Sequence, residues 1–105
     1  MSKTYQLNVH DETFKVTLYT MHYWDENLVV EMDYFDEDFK CYAPFCTLSV
    51  NLDESIPPDQ FFVDTNNCPW AEQFLQENNI AKPVGRCGHS GFCTYPLYEL
   101  LEGAI

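Results

Sequence analysis

Three successive segments of this chain alternate apolar and polar residues with a period of two, and that pattern commits the first third of it to antiparallel strands. Tyr5, Leu7 and Val9 alternate with polar neighbours, His10-Asp11-Glu12 interrupts, and Phe14, Val16 and Leu18 resume through about Tyr19. A hairpin is predicted. After the Trp24-Asp25-Glu26-Asn27 turn, Leu28, Val30, Met32 and Tyr34 supply the inward face of a third strand. Val29, Glu31 and Asp33 would then point outward, since successive side chains of a strand leave on opposite faces.

The rest of the chain is less regular. Asp36-Glu37-Asp38 reads as a turn, and Phe39 to Leu52 as one long or broken strand in which Pro44 marks a bulge or an edge. Asp53 to Asp59, with Pro57-Pro58, is a loop, and Phe61-Phe62-Val63 a short apolar strand ending at Asp64. A helix is predicted next, with Asn67 or Cys68 as N-cap, Pro69 in the first helical position, and Trp70, Phe74 and Leu75 at helical spacing up to Asn78-Asn79. Ala81 to Gly91 holds three of the four glycines and Pro83 and reads as a loop. Phe92 to Leu100 would be a last strand, which Pro96 confines to an edge or a bulge. The expected architecture is an α+β domain over residues 1–105: a twisted antiparallel sheet of about five to six strands with one main helix packed on it.

Charge narrows the function classes. The formal net charge is -12, with 17 acidic residues against 5 basic ones, while 46% of residues are hydrophobic and 16% aromatic. Such a composition folds, so the charge decorates a packed body. It repels nucleic acid and anionic membrane and attracts basic partners. No apolar run approaches the ~18 residues that span a bilayer and no basic-then-apolar leader is visible, so a soluble cytoplasmic protein is expected.

Seven of the carboxylates crowd into one stretch without a Lys or Arg: Asp25, Glu26, Glu31, Asp33, Asp36, Glu37 and Asp38. Same-face residues on a strand lie about 6.7 Å apart, so Glu31 and Asp33 with the turn acids would form a row of charges on a rigid sheet. A groove built for phosphate could accept that row. The plain alternative is a solvated strand face that keeps the protein soluble. Tyr5, Tyr19, Tyr23, Trp24, Tyr34, Phe35, Tyr42, Tyr95 and Tyr98 exceed what one helix can cover, and aromatics among acids suit a protein interface.

Five cysteines in odd number, without an export signal, argue against a disulfide framework. Cys87, His89 and Cys93 lie within seven residues, and Cys68 could complete a tetrahedral zinc site, with Cys41 and Cys46 as rival fourth ligands. Burial is the alternative for each thiol taken singly. Cys68 with His89 and Asp64 could also form a nucleophile, base and orienter set. His10 and His22 read as surface or turn residues.

The runs Asp64-Thr65-Asn66-Asn67-Cys68-Pro69-Trp70-Ala71-Glu72, Lys82-Pro83-Val84-Gly85-Arg86 and Ser90-Gly91-Phe92-Cys93-Thr94-Tyr95-Pro96-Leu97-Tyr98 resemble a family of small proteins of unknown function carried on bacterial mobile elements and phages. The resemblance covers most of the chain and implies a fold and a genetic setting, with no established chemistry. In size, charge and lack of a catalytic motif the chain is also similar to anti-CRISPR and anti-restriction proteins, a likeness of type and not of residues. It implies a non-enzymatic inhibitor that acts as a monomer in a bacterial host cell and binds a basic nucleic-acid-handling protein, foremost a type II CRISPR effector nuclease. A zinc-stabilised accessory or scaffold protein of a mobile element is the second expectation, and a cysteine hydrolase the third.

Overall fold

A computed structural model describes residues 3–105. The period-two segments are strands β1 (Thr4–Val9), β2 (Glu12–His22) and β3 (Leu28–Asp36). β1 and β2 are joined by the two residues His10 and Asp11, both at positive φ (52° and 64°). Paired left-handed residues twist a two-residue turn to match the flanking strands. At the β2–β3 turn the Glu26 amide donates to the Tyr23 carbonyl and the Tyr23 amide to Asn27, with Glu26 at φ 70°. That is a tight turn followed by a bulge residue.

β4 (Cys41–Thr47) completes a first sheet in the order β1-β2-β3-β4. Met32 pairs with Cys46 and Asp33 with Pro44, so Phe45 is an extra residue on the edge strand, a bulge beside the proline. The chain then changes sheets. The Leu48 amide donates to the Val30 carbonyl at 2.8 Å, and the Leu48 carbonyl accepts from the Asp64 amide at 2.8 Å. From there β5 (Ser49–Val50), β6 (Gln60–Val63), β7 (Ala81–Ser90) and β8 (Cys93–Leu100) build a second antiparallel sheet, ordered β5-β6-β8-β7.

The single expected sheet is therefore corrected to two four-stranded ones, and the fold is mostly β, not α+β with one main helix. The Phe39–Leu52 strand is broken at Leu48 and serves both sheets. Ala81–Gly91 is an edge strand and not a loop: glycine and proline hide a ladder in which only Ala81 and Gly88 are buried. β8 lies inside the sheet, yet Pro96 costs it little. β6 pairs only with Leu97–Glu99, and Pro96 falls where the β7 register shifts between Pro83 and Cys87.

Helix α1 (Ala71–Glu77) is short. It begins after Trp70, two residues later than Pro69 suggested, because Asp64 Oδ1 and Oδ2 take the Asn67 amide and side chain and hold residues 64–67 in a preceding turn. It stops at Asn79 (φ 53°), where Ile80 N donates to Leu75 O and Asn79 N to Gln76 O. This left-handed cap satisfies the last carbonyls and buries Ile80.

The inner face of the first sheet (Leu7, Val16, Leu18, Val30, Met32) meets Ala71, Phe74 and Leu75 of α1 and Phe61, Val63 and Tyr98 of the second sheet in one core. Tyr98 ties the helix down, its hydroxyl donating to Glu72 at 2.8 Å and accepting from Gln76 at 2.7 Å. On the far side of the second sheet, Phe62, Tyr95 and Leu97 form a smaller cluster under Val50, Leu52 and Ile56.

Candidate functional site

With α1 and the second sheet on its inner side, the outer face of the first sheet is left without a helix over it among the described residues. Strand alternation puts Thr17, Tyr19 and Met21 of β2, Glu31, Asp33 and Phe35 of β3, and Tyr42 and Thr47 of β4 on this face. Tyr19 pairs with Glu31, Thr17 with Asp33 and Thr47 with Glu31. Thr47 Oγ1 lies 2.9 Å from both Glu31 oxygens, which fixes that carboxylate in place. Partial burial, and then the Asp33 and Glu31 charges, push the Tyr19 hydroxyl above its ordinary pKa. The two acids and the phenol thus share one patch. Lys15 stands on the same face but lies over the Phe35 ring, 5.4 Å from its centre. Val29, expected outward beside the acids, is buried. Its end of β3 is where the chain crosses between sheets, with Ser49 Oγ accepting from the Val30 amide and meeting the Tyr23 hydroxyl.

The seven acids divide by what they touch. Asp25 accepts from the Asn27 amide, the Asn27 side chain and Asn51 at 3.0–3.3 Å, so it shapes its turn. Asp36 accepts from the Asp38 and Phe39 amides and shapes the next one. Glu37 pairs with Lys40 at 3.5 Å in full solvent, a weak contact. Glu26, Asp33 and Asp38 have no side-chain partner among the described residues. Beside Asp25, a recess of about 380 Å³ is lined by Trp24, Asn27, Asp53, Glu54 and Ser55. Trp24 is 86% exposed there, and Glu54 is paired with Arg86.

The four expected zinc ligands do not converge. Cys68 is buried in the main core, where its thiol approaches the Thr47 carbonyl at 3.9 Å. Cys87 and His89 share one face of β7, with His89 Nδ1 at 3.1 Å from Thr94 Oγ1. Cys93 pairs with Ser90, hence on the other face, and packs on the Phe62 cluster. The pleat of the hairpin separates what a loop could have gathered. Among the described residues no group of three or more His, Cys, Asp or Glu side chains is placed to hold a metal ion. Of the rival ligands, Cys41 is exposed at the start of β4, while Cys46 is half-buried and packs against the core cluster that includes Cys68. The hydrolase set also lacks its contacts: Asp64 turns to Asn67 and His89 to Thr94.

The chain is mostly β with a charged open sheet face, and the sequence comparison places it within a family. Residues 13–102 match the family described as Domain of unknown function (DUF4313), and the chain belongs to that family. Neither the curated proteins nor the solved structures contain a match. Among the described residues no helix is long and apolar enough to cross a membrane.

Proposed function

We propose that this chain is a non-enzymatic acidic inhibitor of the anti-CRISPR or anti-restriction kind, carried by mobile elements or phages, which binds a basic nucleic-acid-handling protein in the cytoplasm of a bacterial host. One observation supports the reading most. Asp33 and Glu31 stand with Tyr19 on a sheet face that no helix covers among the described residues, and turn acids extend the negative field at both ends. Tyrosine supplies contact area at low entropic cost, and the carboxylates steer a basic surface into register.

A type II CRISPR effector nuclease is the leading target. It reads its PAM with arginines and holds a heteroduplex in a positive channel. Carboxylates spaced about 6.7 Å along β3 carry roughly half the linear charge of one DNA strand, enough to compete for such a channel over a short span. The zinc-stabilised scaffold and the hydrolase rest on side chains that lie apart, so no observation favours either.

The test is a titration of purified effector nuclease with the chain, reading DNA cleavage and the mass of the nuclease. Inhibition should become complete near one chain per nuclease, as a monomeric blocker requires, and the mass of the nuclease should not change. Complete inhibition at a small fraction of one equivalent, or a covalent mark on the nuclease, would replace the inhibitor with an enzyme.

A further inference from the structure

The β2–β3 turn and the loop between β5 and β6 are tied together around the recess beside Trp24. Asn27 makes the link. Its side-chain amide donates to the Glu54 carbonyl at 2.8 Å and to Asn51 Oδ1 at 3.1 Å, and Asn51 in turn donates to Asp25 at 3.0 Å. Asn27 is only 8% exposed, yet every hydrogen bond of its side chain is made through the nitrogen, so Oδ1 accepts nothing among the described residues. No buried side-chain nitrogen or oxygen among those residues lacks a partner, so this oxygen opens to solvent in the recess that Asn27 lines. A side chain more than nine-tenths buried thus offers the cavity an unused acceptor, which buried polar groups rarely do.

The rest of the lining selects the ligand. Trp24 stands at the recess with its indole almost wholly exposed. Glu54 has its charge balanced by Arg86, but Asp25 meets only amide donors and Asp53 is in no ion pair among the described residues. The site therefore combines two uncompensated carboxylates, a neutral acceptor oxygen and an aromatic ring. Anions are repelled, and an apolar ligand would leave the acceptors unused. A guanidinium meets all of them: it is planar, stacks on an indole, and carries five N–H donors and a charge that does not titrate. An ammonium has the charge without the plane. At about 380 Å³ the recess lies at the small end of the roughly 300–1,000 Å³ usual for ligand pockets, a size for one side chain.

We propose that this recess is an arginine-binding site that receives one guanidinium from the basic partner protein. The choice of partner rests on the function proposed above, whereas the site rests on its own lining. The guanidinium stacks on Trp24 and donates to the Asp53 carboxylate and to Asn27 Oδ1, with Asp25 adding negative charge behind them. Because hydrogen bonds already hold the turn and the loop in place, little ordering is left for the ligand to bring about.

The experiment titrates the folded, full-length, nitrogen-15-labelled chain with acetyl-Gly-Arg-Gly-amide, and with the same tripeptide carrying lysine or citrulline, the neutral isostere of arginine. The two indole N–H signals are followed by NMR, and Trp24→Ala assigns them. The arginine peptide should move the Trp24 signal saturably and leave that of Trp70, which packs on the main core, in place. Citrulline should have no effect, and lysine should bind about threefold or more weakly. Asp53→Asn, which suits the left-handed backbone at φ 55°, should weaken the arginine peptide about two- to fivefold. In Trp24→Ala the Asn27 side-chain amide signals should no longer respond. A Trp24 signal that ignores the arginine peptide, or that moves equally with citrulline or with lysine, would overturn the site. The choice of partner fails separately. If the chain inhibits no nuclease while the recess takes the arginine peptide, the site stands and the target is wrong; if it inhibits the nuclease while the recess ignores the peptide, the site is overturned and the acidic sheet face carries the binding.

Discussion

Tyr19 on β2 lies directly across the ladder from Glu31 on β3, and Thr47 on β4 grips the same carboxylate from the opposite side. One charge is thereby fixed between two neighbours on an interior strand. The strand's two neighbours hold its backbone, so a partner of the proposed kind would find the Glu31 carboxylate already in position and would lose little entropy in ordering it.

Asp25 and Glu26 are neighbours with opposite duties. Asp25→Ala leaves the Asn27 backbone amide and the Asn51 side-chain amide without their acceptor in a partly buried turn and should lower unfolding stability by about 1–3 kcal/mol. Glu26→Gln touches no internal partner and should change it by no more than about 0.5 kcal/mol. Urea unfolding of the two variants checks both; equal losses would refute the division.

Gly88 is packed where a side chain cannot go. A Cβ at this position would lie 2.5 Å from Leu52 Cδ1 and 2.7 Å from Phe62 Cε1. Leu52 can swing aside, but Phe62 is fully buried. Gly88→Ala should therefore cost about 1–3 kcal/mol by overpacking, while Gly91→Ala, with open space around it, should cost less and only through its positive φ. Thermal unfolding of the pair separates packing from backbone strain.

Alkaline pH should expose the Tyr98 clasp. Burial first, then the Glu72 carboxylate that accepts its proton, raise its hydroxyl from 10.0 to about 12, with Gln76 opposing. The folded state thus holds this proton more tightly than the unfolded chain. Its contribution is whole below about pH 10 and is lost as pH rises through about 12. Tyr98→Phe should cost about 1–2 kcal/mol at neutral pH by leaving Glu72 and Gln76 without their partner. The variant should also lose less stability than the wild type between those two pH values. Urea midpoints measured across that window give the answer, and parallel curves would contradict it.

How far the fold could be read from the chain follows from which residues face the core. β1 to β3 were legible because Leu7, Val16, Leu18, Val30 and Met32 alternate with polar neighbours against a single core. The crossing at Leu48 was not, because Thr47-Leu48-Ser49-Val50 reads as one apolar-alternating run whether it stays in a sheet or changes sheets. β7 buries only Ala81 and Gly88, so a strand exposed on nearly all its length carries no period to detect. Of the expected interface, Glu31 and Asp33 lie where alternation put them. Asp25 and Asp36 cannot be told from surface acids by sequence, since the donors they accept from are backbone amides and the side chains of Asn27 and the distant Asn51. Cys87, His89 and Cys93 are close along the chain, but the pleat of the hairpin parts them, and Cys68 lies in the main core.

Under the proposed function, Glu26, Asp33 and Asp38, together with the weakly paired Glu37, bind a basic partner. Calorimetric titration of a type II CRISPR effector nuclease with the wild-type chain and with Glu26→Gln/Asp33→Asn/Glu37→Gln/Asp38→Asn, at low and at raised salt, tests it most directly. The wild type should bind near one to one and weaken as salt rises, and the folded quadruple variant should bind about tenfold or more weakly at low salt. Equal affinities for the two chains at both salt levels, or no binding by the wild type at low salt, would contradict it.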